Sequence, residues 1–133
     1  MTSIPESPHD LLDAQVAAFA TIDGAGLPQM TAVWFFYDAA SDRLKLSLNG
    51  SRKKTQNLRT RPGCSLFILD PQNQFRYLEV RGNATLEPDD DYAFAKIIGA
   101  KYDTDVSGYD APGETRVVVT IEPLKVHAVD MSG

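Results

Sequence analysis

The residues best suited to chemistry form one short basic segment, which reads Asn49-Gly50-Ser51-Arg52-Lys53-Lys54-Thr55. A glycine turn, a serine N-cap and a helix starting with cations would place free backbone N–H groups and arginine donors at one point, which favours a phosphate. Most charge runs are solvated, so an exposed basic helix is the alternative. Cations at a helix N-terminus oppose the helix dipole, however, so their position favours a bound anion.

The distribution of charge limits the kind of anion. Five of the thirteen Lys and Arg residues lie between Arg52 and Arg61, a stretch without Asp or Glu, in a chain of net charge −5. A nucleic-acid-binding protein is expected to carry a broad basic surface on a basic chain. One local patch on an acidic chain predicts a small phosphorylated ligand and no nucleic-acid partner.

Aromatic residues are concentrated on two predicted strands. One contains the only tryptophan within Val33-Trp34-Phe35-Phe36-Tyr37, and the other carries Phe75 and Tyr77. Most of these side chains are expected to be core or dimer interface, but a subset beside a phosphate site could line a flat ring. The simplest ligand that uses both features is a phosphorylated planar cofactor.

Other chemistries lack their usual signatures. The chain has no G-x-S-x-G, H-E-x-x-H, P-loop or G-x-G-x-x-G motif. With Cys64 as the only cysteine, and His9 and His127 near the ends, neither a disulfide nor a metal site is expected. No residue is singled out as a catalytic acid, base or nucleophile.

The elements that must position these residues are mostly strands. Turn residues and period-2 patterns predict strands over 16–22, 29–37, 43–48, 64–69, 75–86, 115–121 and 125–129, with Gly82 at a bulge or close approach. Helices are predicted over 8–15, 52–61 and from 88 onwards. Because the strands follow one another without βαβ alternation, they predict a mainly β (α+β) antiparallel barrel with short flanking helices.

The length of 133 residues predicts a single domain over 1–133, with 1–9 flexible. No apolar run approaches the roughly 20 residues of a membrane span, and no secretory signal is present, so a soluble cytoplasmic protein without a membrane partner is expected.

The order and spacing of five segments resemble the pyridoxamine 5′-phosphate oxidase-like split β-barrel superfamily. The segments are Ala20-Thr21-Ile22-Asp23-Gly24 with Pro28, Val33-Trp34-Phe35, Ser51 to Arg59, Pro62, and Val80-Arg81-Gly82-Asn83-Ala84. Within the superfamily, the short chain and the K-T-x-N-L-R string are similar to the actinobacterial oxidoreductases that use the deazaflavin coenzyme F-420.

This resemblance implies a homodimer of six-stranded split barrels with a cofactor in each groove between subunits. Arg52 and Lys54 would hold the cofactor phosphate, assisted by Lys53 and Thr55. Residues around Val33, Trp34 and Ser47 would border the ring, and Phe75 and Tyr77 would reach it from the opposite subunit. The implied reaction is hydride transfer from reduced F-420 to a conjugated planar acceptor, such as a biliverdin-like tetrapyrrole or an unsaturated heterocycle.

Two alternatives remain open. An FMN-binding oxidase or electron carrier would have the same fold, but the Arg and Lys that bracket the strand 31–36 in pyridoxamine 5′-phosphate oxidases are absent here, and Ala32 stands where many relatives have proline. A non-catalytic protein that binds the deazaflavin or haem-like molecules is not distinguished by the sequence.

Overall fold

The computed structural model describes residues 3–5 and 9–131. Strands in these residues are β1 (Ala17–Ile22), β2 (Pro28–Val33), β3 (Phe36–Asp38), β4 (Arg43–Asn49), β5 (Gly63–Leu69), β6 (Arg76–Pro88) and β7 (Arg116–Asp130). The α-helices are α1 (Lys53–Thr60) and α2 (Ala93–Tyr102), and short 3-10 helices span His9–Asp13 and Val106–Tyr109.

All seven strands of the described chain belong to one antiparallel sheet with the order β2-β1-β5-β6-β7-β4-β3. The edge strands β2 and β3 are joined only by Trp34 and Phe35, so the sheet curls back on itself around a core. β4 shows how the core is filled, because its alternating Leu44, Leu46 and Leu48 are buried while the residues between them are partly exposed. The predicted antiparallel split barrel is therefore confirmed, with seven strands rather than six.

The additional strand arises where the predicted strand over 29–37 is interrupted at Trp34 and Phe35. The Phe35 N–H donates to the Tyr102 hydroxyl, which itself donates to the Phe35 carbonyl, at 3.0 and 3.1 Å. Lys101 Nζ also donates to that carbonyl, at 2.8 Å. Because side chains of α2 bind both the N–H and the carbonyl of Phe35, these backbone groups do not pair within the sheet, and β2 is separated from β3.

The two strands predicted at the end of the chain form one strand, β7. Its pairing with β6 shifts register between Arg81 and Gly82, and Gly82 and Pro123 are partners across the irregularity. A Cβ on Gly82 would lie 1.9 Å from the Glu122 carbonyl oxygen. The predicted close approach at Gly82 is confirmed, and the bulge allows the strand to continue through Pro123.

The two α-helices lie close to their predicted positions. α2 begins after Asp89, whose carboxylate accepts hydrogen bonds from the Phe94 and Ala95 N–H groups. In the predicted helix 8–15, the structure has the 3-10 helix His9–Asp13. No helix within the described residues is long and apolar enough to cross a membrane.

The segment 1–9, predicted to be flexible, falls largely outside the described residues, which omit 1–2 and 6–8. Ile4 is described: its side chain is buried in the main core, and its N–H lies 3.2 Å from the Asp42 carboxylate. The assignment of 1–133 to a single domain stays a prediction.

Candidate functional site

A cleft of about 400 Å³ opens where β2 and β4 end, α1 begins and the second 3-10 helix crosses. These elements contribute apolar, aromatic and cationic side chains to one concave surface. Its lining residues are Ala32, Val33, Trp34, Ser47, Leu48, Asn49, Arg52, Lys54, Val106, Tyr109 and Arg116.

The start of α1 forms the cationic end of the cleft. Arg52 is the N-cap residue and makes no side-chain capping hydrogen bond, and the first turn of the helix carries no acidic residue. The prediction that Ser51 is the N-cap is wrong: its hydroxyl lies 2.6 Å from Asn49 Oδ1 and 2.8 Å from Glu114 Oε2. With this hydroxyl engaged in the loop, no side chain caps the N–H groups at the start of α1.

Lys54 lies in an unfavourable electrostatic environment. Burial, and then the positive charge of Arg52, lower the pKa of Lys54 below its ordinary value. None of the ion pairs among the described residues includes Arg52 or Lys54. An anion placed between the two cations would relieve both causes, because an opposite charge nearby favours the protonated lysine.

Trp34 forms the aromatic wall of the cleft. Its ring is stacked on Tyr102 of α2, with ring centroids 4.3 Å apart and an interplanar angle of 4°, and Tyr109 meets it edge-on at 6.4 Å. The backbone N–H and carbonyl of Phe35, the residue after Trp34, are both hydrogen-bonded to the Tyr102 hydroxyl. The orientation of this wall is therefore fixed by α2.

A buried ion pair lies beneath the cleft. Arg116 donates from Nε and Nη2 to the two carboxylate oxygens of Asp110, at 2.9 and 2.6 Å, and the two side chains are 6% and 3% exposed. Hydrogen bonding to Arg116, with further hydrogen bonds from Asn49 and Tyr92, lowers the pKa of Asp110 to about 2. Arg116 also donates from Nη1 to Ser47 Oγ at 3.1 Å.

The structure brings together five of the predicted site residues: Val33, Trp34, Ser47, Arg52 and Lys54. Lys53 does not line the cleft. Hydrogen bonds from the N–H groups of Leu27 and Ala25, and then the charge of Lys53, lower the pKa of the Asp23 carboxyl. Thr55 is fully buried, and its hydroxyl donates to the Asn49 carbonyl at 2.8 Å. In the single chain, Thr55 therefore supports the loop and has no exposed surface to offer a ligand.

Phe75 and Tyr77 also lie away from the cleft of their own chain. Phe75 is 49% exposed in the turn between β5 and β6, and Tyr77 packs against Phe67 with ring centroids 5.0 Å apart. Their predicted contact with a cofactor bound by the partner subunit stays a prediction.

Sequence reasoning did not assign the other six lining residues to the site, although Asn49 stands in the basic segment: Ala32, Leu48, Asn49, Val106, Tyr109 and Arg116. It also missed Asp110, the buried partner of Arg116. Arg116 had only the signal of a charged residue at the start of an apolar strand, and Asp110 stands in a segment of glycines and polar residues. Neither signal shows that the two residues meet in a buried pair.

A second, larger cavity of about 550 Å³ lies between α2 and the loop that follows it. It is lined by Asp91, Asp103 and Asp105, with Lys96 as the cation. Three carboxylates would repel a phosphorylated ligand, so the cleft at α1 is the better candidate.

A comparison with protein families agrees with this geometry. The family model of pyridoxamine 5′-phosphate oxidase matches residues 8–130. The chain belongs to this family. Proteins of this family have the split-barrel fold, bind flavin and are generally oxidoreductases.

Solved structures support the same assignment. The chain is 30% identical to an F-420 reductase, with a TM-score of 0.80 over 93% of this chain and 98% of that chain. A Listeria innocua protein assigned to the pyridoxamine 5′-phosphate oxidases is 24% identical, with a TM-score of 0.67 over 89% and 90% of the two chains. The general stress protein 26 of Bacillus anthracis is 18% identical, with a TM-score of 0.68 over 91% and 89%. The resemblance to the F-420 branch is thus confirmed, whereas the latter two structures support the fold alone.

Proposed function

We propose that this member of the pyridoxamine 5′-phosphate oxidase family is a coenzyme F-420-dependent oxidoreductase. It would transfer a hydride from the reduced deazaflavin to a conjugated planar acceptor, such as a biliverdin-like tetrapyrrole or an unsaturated heterocycle. The observation that carries the proposal is the pair Arg52 and Lys54, which lies without an acidic partner among the described residues, at the helix start beside Trp34. The similarity to an F-420 reductase over nearly the whole chain supports the same cofactor.

The residues of the cleft fit a phosphorylated planar group. Arg52 and Lys54 would hold the phosphate, since charge-assisted hydrogen bonds from both would act where the α1 N–H groups also point. Val33, Trp34 and Ser47 would border the ring, because they line the same cleft as the two cations. Burial and the charge of Arg52 lower the pKa of Lys54, and a bound anion would offset both causes.

The role of the chain in the reaction would be to orient and to exclude water. When bound, reduced F-420 supplies the hydride directly to the acceptor. Trp34, held by Tyr102, gives the cleft a rigid flat wall, and Tyr109 is 62% exposed at its rim, where an acceptor would enter. Such a transfer depends on proximity and orientation more than on a protein nucleophile.

A homodimer would complete the site. In the single chain the cleft is open on one side, and the predicted ring contacts Phe75 and Tyr77 lie elsewhere. A second copy would bring its β5–β6 turn over the cleft of the first and supply these aromatic side chains.

The FMN alternative is favoured by the family match itself, since the family binds flavin. FMN has the same combination of a phosphate and a flat ring, so the cleft geometry suits it as well. The two cofactors must therefore be compared on the same protein.

The proposed experiment uses Trp34, the only tryptophan of the chain, as the reporter. Its fluorescence is measured while purified protein is titrated with F-420 and, separately, with FMN. Tighter binding of F-420, followed by turnover of reduced F-420 with biliverdin or a panel of enones, supports the proposal. Preferential binding of FMN overturns it in favour of the flavin alternative, and F-420 binding without any turnover favours a non-catalytic carrier.

A further inference from the structure

Asp110 is the side chain through which the two ends of the cleft are connected. It lies directly after the second 3-10 helix and accepts hydrogen bonds from Arg116, Asn49 and Tyr92. We propose that Asp110 is a positioning residue that fixes the position of the phosphate-binding end of the cleft relative to its ring-binding end. This inference rests on the proposed function for the identity of the ligand.

The connection to the phosphate-binding end runs through Asn49. Asn49 Nδ2 donates to Asp110 Oδ1 at 2.9 Å, and Asn49 Oδ1 accepts the Ser51 N–H at 2.8 Å. The Asn49 carbonyl also accepts the Arg52 N–H at 3.1 Å and the Thr55 hydroxyl. Since the Asn49 side chain is pinned by Asp110, the backbone that presents Arg52 and Lys54 is pinned with it.

The connection to the ring-binding end runs through Arg116. The guanidinium is oriented by its bidentate contact with Asp110, and its Nη1 reaches both the hydroxyl and the carbonyl of Ser47, at 3.1 and 3.3 Å. Arg116 and Ser47 both line the cleft. Asp110 therefore sets the position of a cation and a hydroxyl where the ring would lie.

The same carboxylate anchors the rim. Asp110 is the C-cap residue of the second 3-10 helix, whose Val106 and Tyr109 line the cleft. Tyr109 touches the edge of Trp34. Release of Asp110 would free this segment from β7 and from Asn49 together.

The charge of Asp110 is needed as well as its shape. Arg116 is 6% exposed, and a buried cation without its counter-charge is strongly unfavourable. Arg52 lines the same cleft and, as a second cation, supplies no counter-charge for Arg116. An asparagine at position 110 would keep the volume of the side chain. Its NH2 group, itself a donor, would face the donors that the carboxylate now accepts from, and the charge of Arg116 would be left uncompensated.

The test is a double-mutant cycle that measures ligand affinity for variants of Asp110 and Lys54. These two residues make no hydrogen bond or ion pair with each other. We expect Asp110→Asn to weaken F-420 binding by about tenfold or more, and by only about threefold or less in a Lys54→Ala background, because coupled positions are not additive. Tyr92→Phe is the matched control, since it removes one donor from the same carboxylate without touching the cleft. Additive effects in the cycle, or unchanged affinity in Asp110→Asn, would overturn the proposal.

A second measurement needs no ligand and separates this inference from the proposed function. Acrylamide quenching of Trp34 in the unliganded protein should be greater in Asp110→Asn than in the wild type or Tyr92→Phe, because the Val106–Tyr109 segment loses its anchor. Equal quenching in all three proteins contradicts the positioning role whether or not F-420 binds. If Asp110→Asn does not fold, Asn49→Ala is used instead, because it keeps the Asp110–Arg116 pair and breaks the link to α1. The same double-mutant cycle with Lys54→Ala then tests the positioning role, and additive effects would contradict it.

Discussion

At the scale of single residues, the three consecutive cations of the basic segment are not equivalent. Arg52 and Lys54 line the cleft, whereas the charge of Lys53 acts on Asp23 on another side of the helix. Arg52 is the N-cap residue with an extended backbone, so the helical rotation does not fix its direction relative to Lys54. Lys53 and Lys54 are both helical and are rotated by about 100° from each other, so they do not face the same ligand. The run is informative as a sequence signal, but only the fold separates binding cations from solvated ones.

The first prediction tests this division. Arg52→Ala combined with Lys54→Ala should weaken F-420 binding by about 3 kcal/mol or more, because a hydrogen bond to a charged group contributes roughly 1.5–3 kcal/mol. Lys53→Ala is the matched control and should change the dissociation constant by about threefold or less. Fluorescence titration gives the affinities, and thermal unfolding should show similar stability for all three proteins. A loss of affinity in Lys53→Ala equal to that of the double variant would contradict the placement of the phosphate.

The second prediction concerns the pH dependence of binding. In the free protein the pKa of Lys54 is lowered by burial and by Arg52. A bound phosphate would raise it, so at a pH between these two pKa values binding takes up a proton. Affinity should therefore be greatest below the lowered pKa of free Lys54 and fall as the pH rises through it. Lys54→Arg stays protonated over the whole range and should bind with a weaker dependence on pH between 7 and 10. An equal slope for both proteins would show that another group, or the ligand itself, titrates.

At the scale of elements, the pattern of residue types predicts the strands well wherever one face is buried. β4 alternates as its sequence indicates, and Gly82 lies at the predicted close approach. The break between β2 and β3 has no such signal, because Trp34 and Phe35 are good strand residues. It is caused by Lys101 and Tyr102, more than sixty positions away in sequence.

The third prediction concerns the contribution to stability of Gly82, which lies at the bulge between β6 and β7. Gly82→Ala should lower the free energy of unfolding by about 2–4 kcal/mol, because the added Cβ would collide with the Glu122 backbone and the strands must separate. Gly63→Ala is the matched control: Gly63 also lies in a strand, but its Cβ would meet nothing within 4 Å. Its effect should stay within about 0.5 kcal/mol. Urea unfolding followed by circular dichroism compares the two, and equal stability would mean that the sheet absorbs the extra carbon.

At the scale of the whole molecule, the sequence could predict the parts of the site that are local. The phosphate-binding segment is contiguous, so its chemistry is visible in the residue types alone. The pair of Asp110 and Arg116 is not visible in this way, because its partners come from two distant segments: Ser47 and Asn49 lie on β4, and Tyr92 lies at the start of α2. Their meeting depends on β4 pairing with β7, a long-range property of the sheet.

The fourth prediction concerns the assembly that would complete the cleft. If a second copy places Phe75 over the ring, Phe75→Ala should weaken F-420 binding although Phe75 does not line the cleft of its own chain. The decisive measurement uses two differently tagged proteins, one carrying Phe75→Ala and the other Arg52→Ala with Lys54→Ala, co-purified as mixed dimers. In each mixed dimer one cleft carries all three substitutions and the other carries none, so the mixture should regain one tight site per dimer. Each protein alone should bind weakly. A monomer in solution, unchanged binding in Phe75→Ala, or mixed dimers that bind no better than either parent would each contradict the proposed contribution of Phe75 from a second copy.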